Sequence, residues 1–533
     1  MPTDAADASN QSPSAPRPIT AMIAPGLLAS VIIIAIVFRF YELGRLPGLN
    51  GDEAWYGAKL NQWAAGLPPI ENRAVDWRTP TGNLPGPLHL GGLALLQSLL
   101  PPSFALLRLP AVLSSLGAMA LAFMLCRRFF GPTAAMIALV LMATLPANIV
   151  YARFGWDPSH SALVILASAY AALARRPILS ALAFALALAV HPTNVFVAPF
   201  LLSIVIGVEL ERGRSQEAFR RIAVYAALLL ASLSMLPITT SGAHSPSLAS
   251  IAERLSQPAE YLLFPVMLLR LVTGDTALMY ITGQGWGAWR ILIDAAAAAS
   301  FAFLLAISAS PAAGKFRGRD LGLVAGWLAS LIAFFILAGT RSLMPGLDRY
   351  ALCLIVPTVL MLAVLISRAT GPAAKNSPVL MTGTLGLALL AGFWMRYFEP
   401  LERGRGGTHR TFWTASTEPK QAAHNLIAAE PGARRATIYA EDYWLYWPLV
   451  YLDSGRPIIQ ANSDRAKRNP LASSGPVYWV VWRGGPTDRK IAARFAGATS
   501  WTLPSANRDE AVRVWRLDPG QAAARQIAPS DSR

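Results

Sequence analysis

Long apolar runs broken by short polar loops occupy this chain from residue 21 to residue 395. A segment crossing the ~30 Å hydrocarbon core of a bilayer needs roughly 20 apolar residues. By that measure the pattern predicts eleven transmembrane spans, at about 21–38, 104–126, 133–150, 160–174, 178–190, 194–209, 222–238, 288–309, 321–338, 350–367 and 379–395. The short span at 178–190 must tilt or borrow residues past His191. Two more apolar stretches, 88–100 and 261–272, are too short to cross and read as helices lying flat at the interface.

Loop charge orients the spans. With the N-terminus cytoplasmic, the loops holding Arg127-Arg128, Arg175-Arg176, Arg212 to Arg221, Lys315 to Arg319, and Arg368 with Lys375 all face the cytoplasm. Each is short and basic, as the positive-inside rule requires. The opposite side receives 39–103, 151–159, 191–193, 239–287, 339–349 and everything after Arg396. Counting either flat stretch as a span would invert this pattern. The expected organisation is a disordered cytoplasmic tail (1–19), a transmembrane domain (20–395) with external loops 39–103 and 239–287, and an extracytoplasmic domain (396–533). The tail is polar and no small-residue cleavage site follows the first apolar run, so that run is expected to stay as a span. This describes a multi-pass protein of the inner (plasma) membrane.

The final 137 residues differ in character. Segments 436–440, 456–460, 477–482 and 512–517 read as strands, and 442–452 as an amphipathic helix between two of them. Strand, helix, strand predicts a small α/β domain. Its Trp444 and Trp447 suit either its core or contacts to an acceptor.

Composition agrees. Hydrophobic residues make up 54% of the chain and charged residues 14%, against about 25% charged in soluble domains. A soluble globular enzyme, a disordered protein and a fibrous one are excluded. The net charge of +16 lies in short loops between apolar runs, so the bilayer, and not nucleic acid, is the expected partner. Cys126 and Cys353 sit inside apolar runs and offer neither a disulfide framework nor a cysteine zinc site.

Ionisable groups near apolar segments mark function in membrane proteins, and here they gather at one side. Asp52 and Glu53 precede Trp55 and Tyr56 just after the first span. The loop after the third span runs from Tyr151 through Arg153, Trp156 and Asp157-Pro158 to His160. His191 opens a His-Pro-Thr-Asn turn, His89 lies in a flat stretch, and Arg341, Asp348, Arg349 and Tyr350 precede the tenth span. A carboxylate can take a proton from an attacking hydroxyl, and arginines can hold a phosphate leaving group. Each residue also has a plainer role. Asp157 before Pro158 fits a helix start, Arg349 could snorkel, Arg153 could pair with Asp157, and Arg108 could anchor the second span. The carboxylates with His160 and His191 could supply ligands to a divalent metal, though no spacing is diagnostic of one and no other cofactor is implied.

Taken in order, these motifs resemble the GT-C glycosyltransferases. The match runs from Asp52-Glu53-Ala-Trp-Tyr56 through Pro85-Gly-Pro87-Leu-His and Leu107-Arg108-Leu-Pro110 to Arg127-Arg128-Phe-Phe-Gly131, the Arg153 to Pro158 loop and Asp348-Arg349-Tyr350. The set is most similar to the branch containing protein O-mannosyltransferases and the lipid A aminoarabinose transferase, over about residues 20–400. The resemblance implies transfer of a sugar from a polyprenyl-phosphate donor to a lipid, glycan or protein acceptor on the non-cytoplasmic face, with inversion at the anomeric carbon. It places Asp52 at the catalytic centre as the base, with Glu53 and Asp157 as further catalytic candidates. It leaves Arg153, Arg349, Tyr350 and Arg341 for the phosphate, and His160, His191, His89, Trp55 and Tyr56 as other contacts. One departure stands out: the aminoarabinose transferase carries a Lys-Pro step before its juxtamembrane helix, whereas 83–88 here has no lysine. Another cation must hold the phosphate, with Arg153, Arg349, Arg78 and Arg73 as candidates. The rival reading is a transporter or flippase of a lipid-linked or polar substrate. It predicts paired halves and midplane charges, and the sequence shows neither.

Overall fold

The computed structural model describes residues 19–64, 86–213, 215–233, 248–287, 316–369, 377–403, 418–453, 456–461, 475–503 and 512–518. The span expected at 288–309, Arg73, Arg78 and the tail through residue 18 lie outside them. A helix stands at every other expected span. Five helices are long and apolar enough to cross a membrane: Phe104–Phe129, Pro192–Leu210, Gly318–Leu337, Asp348–Ala369 and Pro378–Glu402. Two bent pairs raise that to seven among the described residues, Pro132–Thr144 with Pro146–Ala152 (56°) and Pro258–Val272 with Asp275–Thr282 (71°). Ile19–Phe40 has 22 residues with Pro25 inside it, and several others are shorter, such as Ser161–Leu173 with 13 residues and Gln216–Ser232 with 17. The stretch at 261–272 therefore differs from the isolated flat helix expected. It is the longer limb of a bent pair, turned at Gly274 in the left-handed region (φ +76°), the form taken by a broken span or a re-entrant loop. The stretch at 88–100 is a separate 11-residue helix, Pro87–Gln97.

Proline explains the break at 144–146. Pro146 has no N–H to continue the hydrogen-bond ladder, which leaves carbonyls at the end of Pro132–Thr144 without helical partners. Fully buried Arg39 takes two of them, donating to Met142 O at 3.1 Å and Ala143 O at 3.0 Å. A buried carbonyl left alone costs about 1–3 kcal/mol, so one buried guanidinium holds the break in place. The irregular turn after the first helix is held in the same way. Arg108 donates to Leu43 O (2.7 Å), Leu46 O (2.8 Å) and Gly48 O, and Arg153 to Phe38 O (2.7 Å) and Leu46 O (3.1 Å). These bonds set where the next helix, Gly51–Ala64, begins.

The C-terminal part carries a five-stranded mixed sheet of order β2-β1-β3-β5-β4, built from β1 (Thr437–Ala440), β2 (Ile458–Gln460), β3 (Val477–Trp482), β4 (Thr499–Leu503) and β5 (Val512–Leu517). β1 runs parallel to β2 and β3, whereas β5 is antiparallel to β3 and β4. Parallel neighbours need a crossover, and Tyr443–Leu452 supplies the one from β1 to β2. The edge strand β4 was not expected, because its Thr-Ser-Trp-Thr-Leu sequence is largely exposed and has no apolar run. β3 is buried on both faces. Tyr439, Trp479 and Trp515 share a face with Ile491 and Phe495. Ile438, Tyr478, Val480 and Trp482 join the core that continues through Leu445 and Leu449 into the membrane helices. The sheet thus docks through Tyr443–Leu452, which packs along Gly51–Ala64.

Candidate active site

Gly51–Ala64 begins on a reciprocal cap. Asn50 Oδ1 accepts from the Asp52 amide at 2.8 Å, and Glu53 Oε2 accepts from the Asn50 amide at 3.2 Å. Neighbouring residues on a helix point about 100° apart, and here the two acids separate. Asp52 keeps a fifth of its side chain exposed (21%) while Glu53 keeps none (0%).

Glu53 faces inward. Arg108 donates Nε to Oε1 and Nη2 to Oε2, each at 2.9 Å, and the Gly155 amide donates to Oε1 at 2.7 Å. The sequence offers Glu53 as a catalytic candidate, and the fold places it inside, away from Asp52. Its oxygens are taken by Arg108 and two backbone amides in a dry interior, and Arg108 is the anchor its alternative reading described.

Asp52 faces a different set. Its Oδ1 accepts from the Tyr443 hydroxyl at 2.8 Å, and its Oδ2 lies 3.7 Å from Arg349 Nη1. Burial pushes its carboxyl above the ordinary range, while Arg349 and the Tyr443 hydroxyl pull it back. Arg349 sits in the short Asp348–Leu354 turn of 3-10 helix. Its guanidinium lies over the rings of Trp156 (5.4 Å) and Tyr350 (5.1 Å) and donates to Tyr350 Oη at 3.3 Å. Aromatic faces hold the cation without consuming its donors, and 19% of its side chain stays exposed. His191 lies against Tyr350, ring centroids 5.8 Å apart. Its Nδ1 is engaged by Thr193 Oγ1 at 2.7 Å, and burial with nearby Arg349 pushes it down to about 4.

Asp157 forms a second buried cluster. Its Oδ2 accepts from the Tyr56 hydroxyl at 2.5 Å and from the Gly86 amide at 2.7 Å. Oδ1 is buried with no hydrogen-bond partner among the described residues. Burial pushes this carboxyl up to about 7, against the two donors, which lower it. Asp157 does not cap its own helix: the N-cap position is Trp156, and the Asp157 side chain reaches across to two other segments. Tyr56 stands one turn after Asp52 on the same helix and so links the two acids. Its ring packs edge-on to His89, whose Nδ1 lies 3.1 Å from His160 Nε2. Burial, with His160 beside it, holds His89 well below the usual histidine range. His89 Nε2 and Trp156 Nε1 are also buried without partners among the described residues.

Other candidates fall elsewhere. Arg153, expected on phosphate, is fully buried, bonded to backbone carbonyls and lying over Phe398 at 5.0 Å. None of its side chain is exposed beside the partly exposed Asp52–Arg349 pair, and its terminal nitrogens are held by the turn at 38–46. Arg341 is exposed on a separate short turn, Thr340–Leu343. Trp55 is buried against Tyr56 and Trp447. Among the described residues no three His, Cys, Asp or Glu side chains converge as a metal site. Tyr443 was not anticipated. Sequence marks it only as the first residue of a helix after a capping Asp442, and its partner lies 391 positions away.

An apolar cavity of about 310 Å³ lies between Pro258–Val272, Gly318–Leu337 and Ile355–Ala369. Phe264, Leu268, Trp327, Leu331 and Met361 line it. The last of these helices continues directly from the turn that carries Arg349.

The fold has counterparts among solved proteins. The crystal structure of ArnT from Cupriavidus metallidurans in the apo state matches with a TM-score of 0.52 at 14% identity, over 95% of this chain and 100% of that one. The same protein bound to undecaprenyl phosphate matches with a TM-score of 0.52 at 14% identity, over 93% and 98%. The oligosaccharyltransferase of Archaeoglobus fulgidus, in complex with Zn and sulfate, is more distant, at TM-score 0.45 and 14% identity over 81% and 62%, and carries no argument. No protein-family model and no curated protein sequence matches the chain. The likeness to ArnT establishes the fold: a helical membrane bundle with a small C-terminal α/β sheet.

Proposed function

We propose that this protein is a membrane glycosyltransferase that moves a sugar from a polyprenyl-phosphate donor to an acceptor on the non-cytoplasmic face, with inversion. The observation that carries this reading is the partly exposed Asp52–Arg349 pair, a carboxylate and a guanidinium 3.7 Å apart at one end of the bundle. The likeness to a protein solved with undecaprenyl phosphate supports a polyprenyl-phosphate donor, and the apolar cavity beside the Arg349 helix offers walls for a prenyl chain.

The chemistry follows from the two groups. Asp52 accepts the proton of the acceptor nucleophile as that nucleophile bonds to the anomeric carbon. The bond from that carbon to the phosphate oxygen breaks on the opposite face, and polyprenyl phosphate leaves as an anion. Arg349, steadied on Trp156 and Tyr350, faces that developing charge with preorganised donors, a term often worth as much as the base. Asp157 and Tyr56 fix the helix beside Asp52. The sheet domain covers the acceptor side. On this reading the N-terminus is cytoplasmic and the sheet domain extracytoplasmic.

The test is transfer from sugar-labelled polyprenyl-phosphate donors by membranes holding wild type or Asp52→Asn. Label should reach a non-donor product with wild type only. Full activity in a folded Asp52→Asn protein would refute the assignment of the base. Flux of an unmodified substrate across sealed vesicles, with no transfer, would favour a transporter.

A further inference from the structure

The sheet domain contributes a side chain to the carboxylate on which the proposed chemistry turns. Tyr443 opens the Tyr443–Leu452 helix, and Asp442 caps that helix through the amides of Trp444 (3.0 Å) and Leu445 (3.1 Å). The same Asp442 accepts from Trp482 Nε1 at 2.7 Å, which ties the cap to the central strand β3. The Tyr443 hydroxyl is therefore aimed by the sheet itself. Its ring packs edge-on to Trp444, centroids 5.1 Å apart.

Two glycines let the helices meet this closely. A Cβ at Gly51 would lie 2.8 Å from the Tyr443 ring and 2.9 Å from the Trp444 ring, and one at Gly57 would lie 2.7 Å from Leu107 and against the Tyr451 ring. Asn61 Nδ2 also donates to Tyr451 O at 3.3 Å. Any side chain at either glycine would push the helices apart, so both positions serve the contact that brings Tyr443 to Asp52.

We infer that Tyr443 is a positioning residue for Asp52, delivered by the C-terminal domain, so that the site is complete only when that domain is docked. This rests on the reading of Asp52 as the base. A single hydroxyl bond at 2.8 Å fixes Oδ1 and leaves Oδ2 toward Arg349, 3.7 Å away. It also stabilises the ionised form, the form able to take a proton. The other titratable groups that act on or are acted on by Asp52 among the described residues are Arg349, Glu53, Tyr56 and Tyr280. Tyr443→Phe leaves all four in place.

The experiment compares full-length wild type, Tyr443→Phe, Trp444→Phe, Gly51→Val and Asp52→Asn. Two readouts are used: the pH profile of transfer, and the infrared titration of the carboxyl band that Asp52→Asn removes. Tyr443→Phe should lower kcat about tenfold, the weight of one hydrogen bond to a charged group, with the donor KM unchanged. It should move both the acidic limb and the infrared titration to higher pH. Gly51→Val should reproduce the shift by separating the helices, whereas Trp444→Phe should retain the wild-type profile. A Tyr443→Phe profile and titration that superimpose on wild type would overturn the inference, as would the same shift in Trp444→Phe. Wild type that transfers no sugar, with the infrared shift still present in Tyr443→Phe, would remove the transferase reading and leave the bond between the domains standing.

Discussion

Replacing Glu53 with Gln separates a structural role from a chemical one. The substitution keeps the shape but removes the charge opposite Arg108, which is 1% exposed and has no route to water. The new amide also turns N–H donors toward Arg108 Nη2 or the Asn50 amide, both of which now donate to Glu53 Oε2. Breaking a buried pair by removing one partner costs about 3–5 kcal/mol. With an unfolding entropy of about 2.1 cal/mol/K per residue and a cooperative unit of roughly 400 residues, the midpoint should fall by about 4–6 °C. Thermal unfolding in detergent, followed by tryptophan fluorescence, measures it. Apolar replacement of both partners often restores a buried pair's stability. Here Glu53→Leu with Arg108→Met should not recover it, because the carbonyls of Leu43 and Gly48 and the amides of Asn50 and Gly155 would lose their partners. At about 1–3 kcal/mol for each orphaned group, the double variant should be at least as unstable as the single one. A wild-type midpoint in Glu53→Gln together with abolished transfer would refute this reasoning and return Glu53 to the reacting centre.

Three further outcomes are expected. Asp157 has its folded pKa raised from 3.8 to about 7, so the folded protein holds a proton that the unfolded chain releases, and stability falls as pH climbs from about 4 to about 7. That shift of about 3 units corresponds to about 4 kcal/mol, so the unfolding midpoint of Asp157→Asn should rise relative to wild type between pH 5 and pH 8; a difference independent of pH would contradict it. Arg349→Gln should raise the donor KM about 10- to 100-fold through loss of a charged hydrogen-bond donor, and Arg349→Lys should restore only part because it lacks the planar fork; an unchanged KM would move the phosphate elsewhere. Arg39→Met should lower the unfolding midpoint with kcat unchanged, because the Ala143 carbonyl at the helix break loses its donor and the Met142 carbonyl keeps only Asn148 Nδ2 at 3.3 Å; an unaltered midpoint would show that another group takes them.

Much of this molecule was legible from residue order alone. Apolar runs of membrane length must be helices, because backbone groups in hydrocarbon find partners only within a helix or a closed barrel. Strand runs such as Val477–Trp482 show themselves through β-branched and aromatic content. Asp52 stands out in sequence by its place after the first span, and Arg349 by its place before the tenth, as candidates. Both remain partly exposed at one end of the bundle.

What tertiary structure alone decided was which of these charges keep some exposure. Glu53 and Arg153 look as reactive in sequence as Asp52 and Arg349. Helix geometry turns Glu53 away from Asp52, and the irregular turn at 41–50 draws in both Arg108 and Arg153 to satisfy its carbonyls. Backbone hydrogen-bond demand of this kind arises only once the chain is folded. Tyr443 meets Asp52 for the same class of reason: two helices far apart in sequence touch where glycines permit it, and no local pattern encodes that pairing. Local chemistry therefore determined which elements form, and the matching of buried donors to acceptors across distant segments determined which side chains are left to act.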